Sequence, residues 1–212
     1  VRRAGAQHGQ EAFGGFASAS YLRRLLAAGE IEGAAAYMPP AAAEILRREQ
    51  AAGRVTDPAL CERAILSRLR TMTADDWQRY DGGGEGLGNR LYQASRTGGT
   101  LEEVLAAAKT KRYPLARLRR MVLAAWLDLP EPPDRVPYLR VLAMNGRGRA
   151  LLREMKRTAS LPVVTKPAHV RALDGDCRRV FELETRCTDL YGLFLPEPPA
   201  GGREWREGPA IL

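Results

Sequence analysis

Ser18-Ala19-Ser20-Tyr21-Leu22-Arg23 places two hydroxyls and a guanidinium within six residues, just ahead of the apolar run Leu25-Leu26-Ala27-Ala28. Small hydroxyl residues at a helix start accept hydrogen bonds from backbone N–H groups that have no intrahelical partner. Those N–H groups and the positive end of the helix dipole also attract anions. An Arg in the first turn can fork onto a phosphate. Capping is the commoner use of such residues, so these six alone fit either an ordinary N-cap or a phosphate site.

A second cluster is cationic. Lys109, Lys111, Arg112, Arg117, Arg119 and Arg120 put six positive charges into twelve residues with no acidic residue among them. Projected on a helix, Arg112, Arg119 and Arg120 share a face behind which the apolar residues lie. Tyr113 adds a ring on which a base could stack. Such a surface fits RNA phosphates, with affinity that falls as salt rises. The competing reading is a solvated helix face. The net charge of +8 points the same way as the cluster, toward a polyanionic partner.

Other chemistry is poorly supplied. The chain has two His, His8 and His169, and neither has a second His two or three residues away, so no Ser-His-Asp or Cys-His arrangement can be argued. Gly82-Gly83-Gly84 lacks the Lys-Ser/Thr that a P-loop requires. Cys61, Cys177 and Cys187 form no CxxC pair, which favours reduced thiols in a cytoplasmic setting and no metal site. No apolar run approaches the ~20 residues of a membrane span, so no membrane partner is expected. Thr165-Lys166 follows an apolar run, where ligand sites often sit, but a lone Lys there is more often solvated. Glu184, Arg186 and Asp189 are spaced to pair with one another across helix turns.

Tyr21–Ala28, Ile31–Tyr37 and Ala41–Gly53 are short helices, the first stopped at Gly29 and the second ended by Pro39-Pro40. Asp57-Pro58 opens a helix with Leu60, Ala64, Ile65 and Leu69 toward the core. Thr73 caps a segment holding Trp77, and Thr100-Leu101-Glu102-Glu103 is a capping box. Tyr113-Pro114 starts a long helix to about Asp128 with Leu115, Leu118, Val122 and Ala125 buried. Then the pattern changes: Tyr138–Ala143 reads as a strand, Arg147–Arg157 as a helix and Leu161–Thr165 as a second strand, a βαβ unit with a right-handed crossover. Asp176–Phe194 is a final helix. The fold class expected is α+β, predominantly α-helical, with a helical region followed by a small βαβ unit holding a two-stranded parallel sheet.

The S-A-[ST]-x-[IL]-R pattern of Ser18–Arg23 resembles the phosphate-binding motif of HxGH adenylyltransferases. Glu85-Gly86-Leu87…Arg90-Leu91, Lys109-Thr110-Lys111-Arg112-Tyr113, Pro137-Tyr138-Leu139-Arg140-Val141-Leu142, Leu161-Pro162…Thr165-Lys166 and Thr188-Asp189-Leu190-Tyr191 follow in order. From about Arg2 to Leu193 the series resembles the C-terminal half of the bacterial tRNA(Met) cytidine acetate ligase family. The resemblance implies an enzyme that makes acetyl-adenylate from ATP and acetate and passes the acetyl group to N4 of the wobble cytidine of elongator tRNA(Met). It implies that Arg3, Ser18, Ser20 and Arg23 hold ATP, which usually arrives with Mg²⁺. It also implies that Lys109, Lys111, Arg112, Tyr113, Arg117, Arg119 and Arg120 face the tRNA.

The HxGH loop of that family is absent from these 212 residues, which open at Val1 without Met. The expectation is therefore a piece of a longer chain that neither binds ATP by itself nor makes the adenylate. Residues 1–28 would end the nucleotide-binding domain, 29–129 form a helical tRNA-binding domain, 130–195 a small α/β subdomain and 196–212 a loosely held Pro/Gly-rich tail. Two alternatives stand beside this reading: another HxGH-type adenylyltransferase that does not modify RNA, and a non-catalytic RNA-binding module.

Overall fold

Local signals in the sequence set most of the helix starts. In the computed structural model, which describes residues 15–81, 86–129 and 135–212, twelve α-helices and four two-residue strands appear among the described residues. The chain divides into two units, Val1–Asp57 with Leu195–Glu197, and Pro58–Phe194 with Pro198–Leu212.

The first unit holds α1 (Ala19–Ala27), α2 (Ile31–Ala35) and α3 (Pro40–Ala51). Leu25, Ala34, Ala35 and Ala43 are its buried apolar residues. Gly29, at φ +78°, reverses the chain after α1 in the left-handed region that glycine adopts without strain. Arg47 on α3 ties back to Glu32 on α2 through two bonds of 2.7 and 2.6 Å.

The second unit begins with a 3₁₀ turn at Pro58–Cys61, followed by α4 (Glu62–Thr71), α5 (Ala74–Asp81), α6 (Leu87–Thr97), α7 (Leu101–Ala108) and α8 (Leu115–Leu127). The tighter turn rotates the stripe expected from Pro58. Cys61, Ile65, Leu66 and Leu69 are buried, whereas Leu60 is 50% exposed and Ala64 lies on the solvent side. Trp77, Leu87, Leu91, Val104 and Leu118 fill the core with no exposed surface. Thr73 and Asp76 bond reciprocally at the start of α5, as in a capping box. At α7 the box is shifted: Thr100 accepts from the Glu103 N–H at 3.1 Å, while Glu103 reaches back to the Gly99 N–H at 2.6 Å. A side chain at Gly98 could not fit, because its Cβ would stand 2.7 Å from Val104 Cγ2 and 2.9 Å from its backbone nitrogen.

Beyond α8 come β1 (Leu139–Arg140), β2 (Ala143–Met144), α9 (Gly146–Thr158), β3 (Val163–Val164), α10 (Pro167–Val170) and α11 (Gly175–Gly192). β1 and β3 pair in parallel, Leu139 opposite Val163, with α9 as the crossover, which is the expected βαβ unit. The continuous strand read over Tyr138–Ala143 is instead two, because the chain changes partner: the Val141 N–H donates to Val164, while the Leu142 carbonyl accepts from Ala210.

That second partner comes from the C-terminal segment. The segment after Pro196 was expected to be loosely held, but it forms α12 (Arg203–Arg206) and β4 (Ala210–Ile211), and β4 pairs in parallel with β2. Its anchor is polar and aromatic. Trp205 meets Phe181 edge-on at 4.7 Å, and Glu204 accepts from both Arg140 and Thr188. Phe181, Cys177 and Thr185 form the buried stripe of α11, and burial pushes the Cys177 thiol up to about 11, which leaves it unreactive. Glu184, Arg186 and Asp189 do not pair with one another. Glu184 bonds to Arg140 at 2.7 Å, Arg186 donates to the Asp128 carbonyl and Asp189 accepts from the Gly202 N–H.

Candidate functional site

The Ser18–Arg23 motif opens α1. Ser18 is its N-cap, in extended backbone, and its Oγ accepts from the Tyr21 N–H at 3.1 Å. The first turn carries no carboxylate that would repel an anion. Ser20 and Arg23 are exposed on that turn, whereas Arg24 folds over the Tyr21 ring 5.2 Å from its centroid. Ser18 thus caps α1, and Arg23 lies exposed on its first turn. Arg3 and His8 lie outside the described residues.

The basic segment belongs to the second unit and spans the loop between α7 and α8 and the first turns of α8. Its base is fixed by Arg90 on α6, whose guanidinium donates to the last carbonyls of α7, Ala108 at 2.8 Å and Ala107 at 3.2 Å. A cation at a helix C-terminus also meets the negative end of the dipole. A tight turn follows, closed by the Tyr113 N–H on Thr110 Oγ1 at 3.1 Å. Pro114 is the N-cap and the helix begins at Leu115, so Arg112 lies in the loop and not on the helix face projected from the sequence. Lys111, Arg112, Arg119 and Arg120 are exposed. Leu118, Met121 and Val122 are buried behind the last two.

Tyr113 corrects the expectation of a stacking platform. It is only 7% exposed and belongs to the main core, with the guanidiniums of Arg112 and Arg117 each 5.7 Å from its ring centroid. A ring buried this far offers little surface on which a base could stack.

Sequence reasoning missed how many arginines are structural. Arg70 donates to the Gly98 and Ser95 carbonyls, Arg96 to Met72, and Arg68 to Ala125. Each guanidinium satisfies carbonyls at a helix end, a role that spacing along one helix does not reveal. Lys166, two residues beyond β3 and at the N-cap of α10, lines a cleft of about 380 Å³ with Arg149, Arg153 and Lys156. Among the described residues no group of three or more His, Cys, Asp or Glu could hold a metal ion, and no helix is long and apolar enough to cross a membrane.

The tRNA(Met) cytidine acetate ligase of Acetivibrio thermocellus is 30% identical over 158 residues, covering 70% of this chain and 38% of that protein. That of Thermotoga petrophila is 29% identical over 233 residues, covering all of this chain and 55% of that protein. The chain thus spans about a third to a half of the length of the curated relatives it matches. Two crystal structures of Thermotoga maritima TmcAL are similar, both at 26% identity. The apo form has a TM-score of 0.89 and covers 100% of this chain and 55% of that one. The form bound with alpha-thio ATP has a TM-score of 0.83, covering 93% and 52%. Residues 1–203 match the HIGH Nucleotidyl Transferase family as a whole, and the chain belongs to that family.

Proposed function

We propose that this chain is the C-terminal, tRNA-facing part of an ATP-dependent tRNA cytidine acetate ligase. The whole enzyme activates acetate as acetyl-adenylate and acetylates N4 of the wobble cytidine of elongator tRNA(Met), in the cytoplasm. The observation that carries the reading is the loop-and-helix segment from Lys109 to Arg120, whose exposed cations are held by a buried stripe and uninterrupted by any carboxylate. The similarity of nearly the whole chain to tRNA(Met) cytidine acetate ligases supports tRNA as the polyanion.

In this reading Lys109, Lys111, Arg112, Arg117, Arg119 and Arg120 contact tRNA phosphates, with the buried Tyr113 ring beside Arg112 and Arg117. Arg3, Ser18, Ser20 and Arg23 border the ATP phosphates, to which Mg²⁺ would be bound. Ser18 fixes the helix start and Arg23 supplies the positive charge at the α1 N-terminus. An HxGH loop, which stabilises charge developing at the α-phosphate in this kind of enzyme, is not present in these residues. Adenylation therefore does not occur on this chain alone.

The test is filter binding of the chain to elongator tRNA(Met) and to unrelated tRNAs across a salt series. Binding whose logarithm falls linearly with the logarithm of salt, and which favours elongator tRNA(Met), is expected. Absence of tRNA binding at low salt would remove the tRNA-facing assignment.

A further inference from the structure

We propose that the cleft between α9 and the loop after β3 takes one nucleotide of a single-stranded RNA segment, its phosphate on Arg149, Arg153, Lys156 and Lys166 and its base against the apolar wall. The inference rests on the RNA-binding reading above but uses a different surface, made of residues which that reading leaves unassigned.

The first observation is the spacing. Arg149, Arg153 and Lys156 recur at four and three residues along α9, so at about 100° per residue they fall within roughly 60° of one another on one face. Lys166, from the loop beyond β3, completes the rim from the other side. Ligands commonly sit beyond the carboxyl ends of parallel strands, and β3 is such a strand.

The second observation is charge. No Asp or Glu lines this cleft. Arg149, Arg153 and Lys166 take part in no ion pair among the described residues, and Lys156 donates to Thr165 Oγ1 at 3.4 Å. Arg157, one residue beyond Lys156 and off the cleft, is instead paired with Glu154 at 3.3 Å. A larger cleft of about 620 Å³ elsewhere in the same unit makes the contrast. Its cations Arg79, Arg179 and Arg186 are joined by Asp128 and Glu182 in the lining. Arg79 pairs with Asp76 and Asp128, and Arg179 pairs with Asp176. That cleft is internally neutralised, whereas the α9 cleft has charge to offer an anion.

The third observation is the wall. Met144, Leu152, Pro209 and Ile211 give the cleft an apolar side, and its volume of about 380 Å³ is within the range of pockets that enclose a small molecule. A nucleotide carries both required parts, a flat apolar base and a phosphate. Arg guanidinium planes also stack on bases. Bases inside a duplex are already stacked and cannot enter such a cleft, so an unpaired nucleotide is the occupant that fits.

The experiment uses the full 212-residue chain, a short labelled single-stranded RNA oligonucleotide carrying 4-thiouridine, and a blunt RNA duplex of equal length. The double variant Arg149→Gln with Arg153→Gln is compared with the unaltered chain, and Lys166→Gln serves as a second, independent variant. α9 buries no residue, so these changes leave the core intact, and circular dichroism checks the fold. The double variant is expected to bind the oligonucleotide about 10-fold more weakly at low salt, with duplex binding changed far less. Ultraviolet crosslinks to the 144–166 and 208–211 segments should be lost with it. Unchanged oligonucleotide affinity in both variants overturns the cleft while leaving the Lys109–Arg120 reading in place. Equal loss for oligonucleotide and duplex overturns it too, since the cations then act as general phosphate contacts. Stronger displacement by poly-glutamate than by unlabelled oligonucleotide reassigns the cleft to an acidic peptide. If the unaltered chain binds neither tRNA nor oligonucleotide, the RNA-binding reading itself fails.

Discussion

At the scale of single residues, the decisive distinction is between arginines that hold helices and arginines that remain available. Arg70, Arg90 and Arg96 each donate to carbonyls of another segment, while Arg23, Arg119 and Arg120 are exposed. Ser20→Ala with Arg23→Ala, made in the full-length enzyme, should therefore weaken ATP handling by about 1.5–3 kcal/mol, the worth of a charge-assisted bond, and leave tRNA binding unchanged. Pyrophosphate exchange checks it, and unaltered ATP kinetics in a folded double variant would leave only the N-cap role. Tyr113 behaves differently from its sequence context. Tyr113→Ala should lower stability by about 3 kcal/mol or more through the cavity it leaves, measured by urea unfolding. A Tyr among cations reads equally as a stacking ring or a core ring, and only the start of α8 after Pro114, which turns the side chain inward, separates them.

At the scale of elements, the C-terminal segment is held by Arg140 of β1, bonded to Glu184 of α11 and Glu204 of α12. Arg140 and Glu204 are about four-fifths buried, at 20% and 21% side-chain exposure. Burial works against the Glu204 carboxylate, but bonds from Thr188 and Arg140 outweigh it and hold its pKa below the ordinary Glu value. A group with a depressed folded pKa stabilises above its unfolded pKa and loses that contribution as the pH falls through the folded one. Docking of α12 and β4 should thus weaken as the pH drops below the ordinary Glu range, read from the fluorescence of Trp205 in a chain whose other tryptophans are replaced by Phe. Arg140→Met should cost about 2–3 kcal/mol and reduce that pH dependence, since only the Thr188 bond is then left to favour the Glu204 carboxylate against burial.

Most of the longer helices and the βαβ unit were legible because caps, prolines and apolar spacing are local signals, whereas the four-residue helices α10 and α12 were not. Thr100 caps α7 as its capping box implies, while Asn145 and Asp174 cap α9 and α11, whose starts the sequence pattern puts one residue too late. The second strand pair was not legible, since β4 is two residues in a Pro/Gly-rich segment and exists only because β2 offers it an edge. The stripe from Pro58 holds at Ile65 and Leu69, but Cys61 and Leu66 are buried where Leu60 and Ala64 were expected, because a 3₁₀ turn is indistinguishable from an α-turn in composition. Of the candidate site, the cationic cluster and the Ser-led helix were visible as residue types in sequence. The cleft beside α9 depends on Lys166 approaching from another element and could be found only in three dimensions.

At the scale of the molecule, the cations behind the net charge of +8 include arginines bonded to helix-end carbonyls and others exposed to solvent. Because these residues contain no HxGH loop, the purified chain should release no pyrophosphate from ATP and acetate above a heat-killed control. The most direct test of the central claim is tRNA affinity across a salt series after charge reversal at Arg119 and Arg120, set against reversal at Arg63 and Arg135. All four are exposed, and among the described residues none of them takes part in an ion pair. The control pair avoids Arg47 and Arg48, which are bonded to Glu32 and Glu49. Reversal on α8 should weaken binding and flatten the slope of log K against log salt by roughly 0.7–0.9 per lost phosphate contact, with an unchanged melting curve, while the control binds like the unaltered chain. Equal tRNA binding by both variants would show that the basic helix is a solvated face and contradict the account.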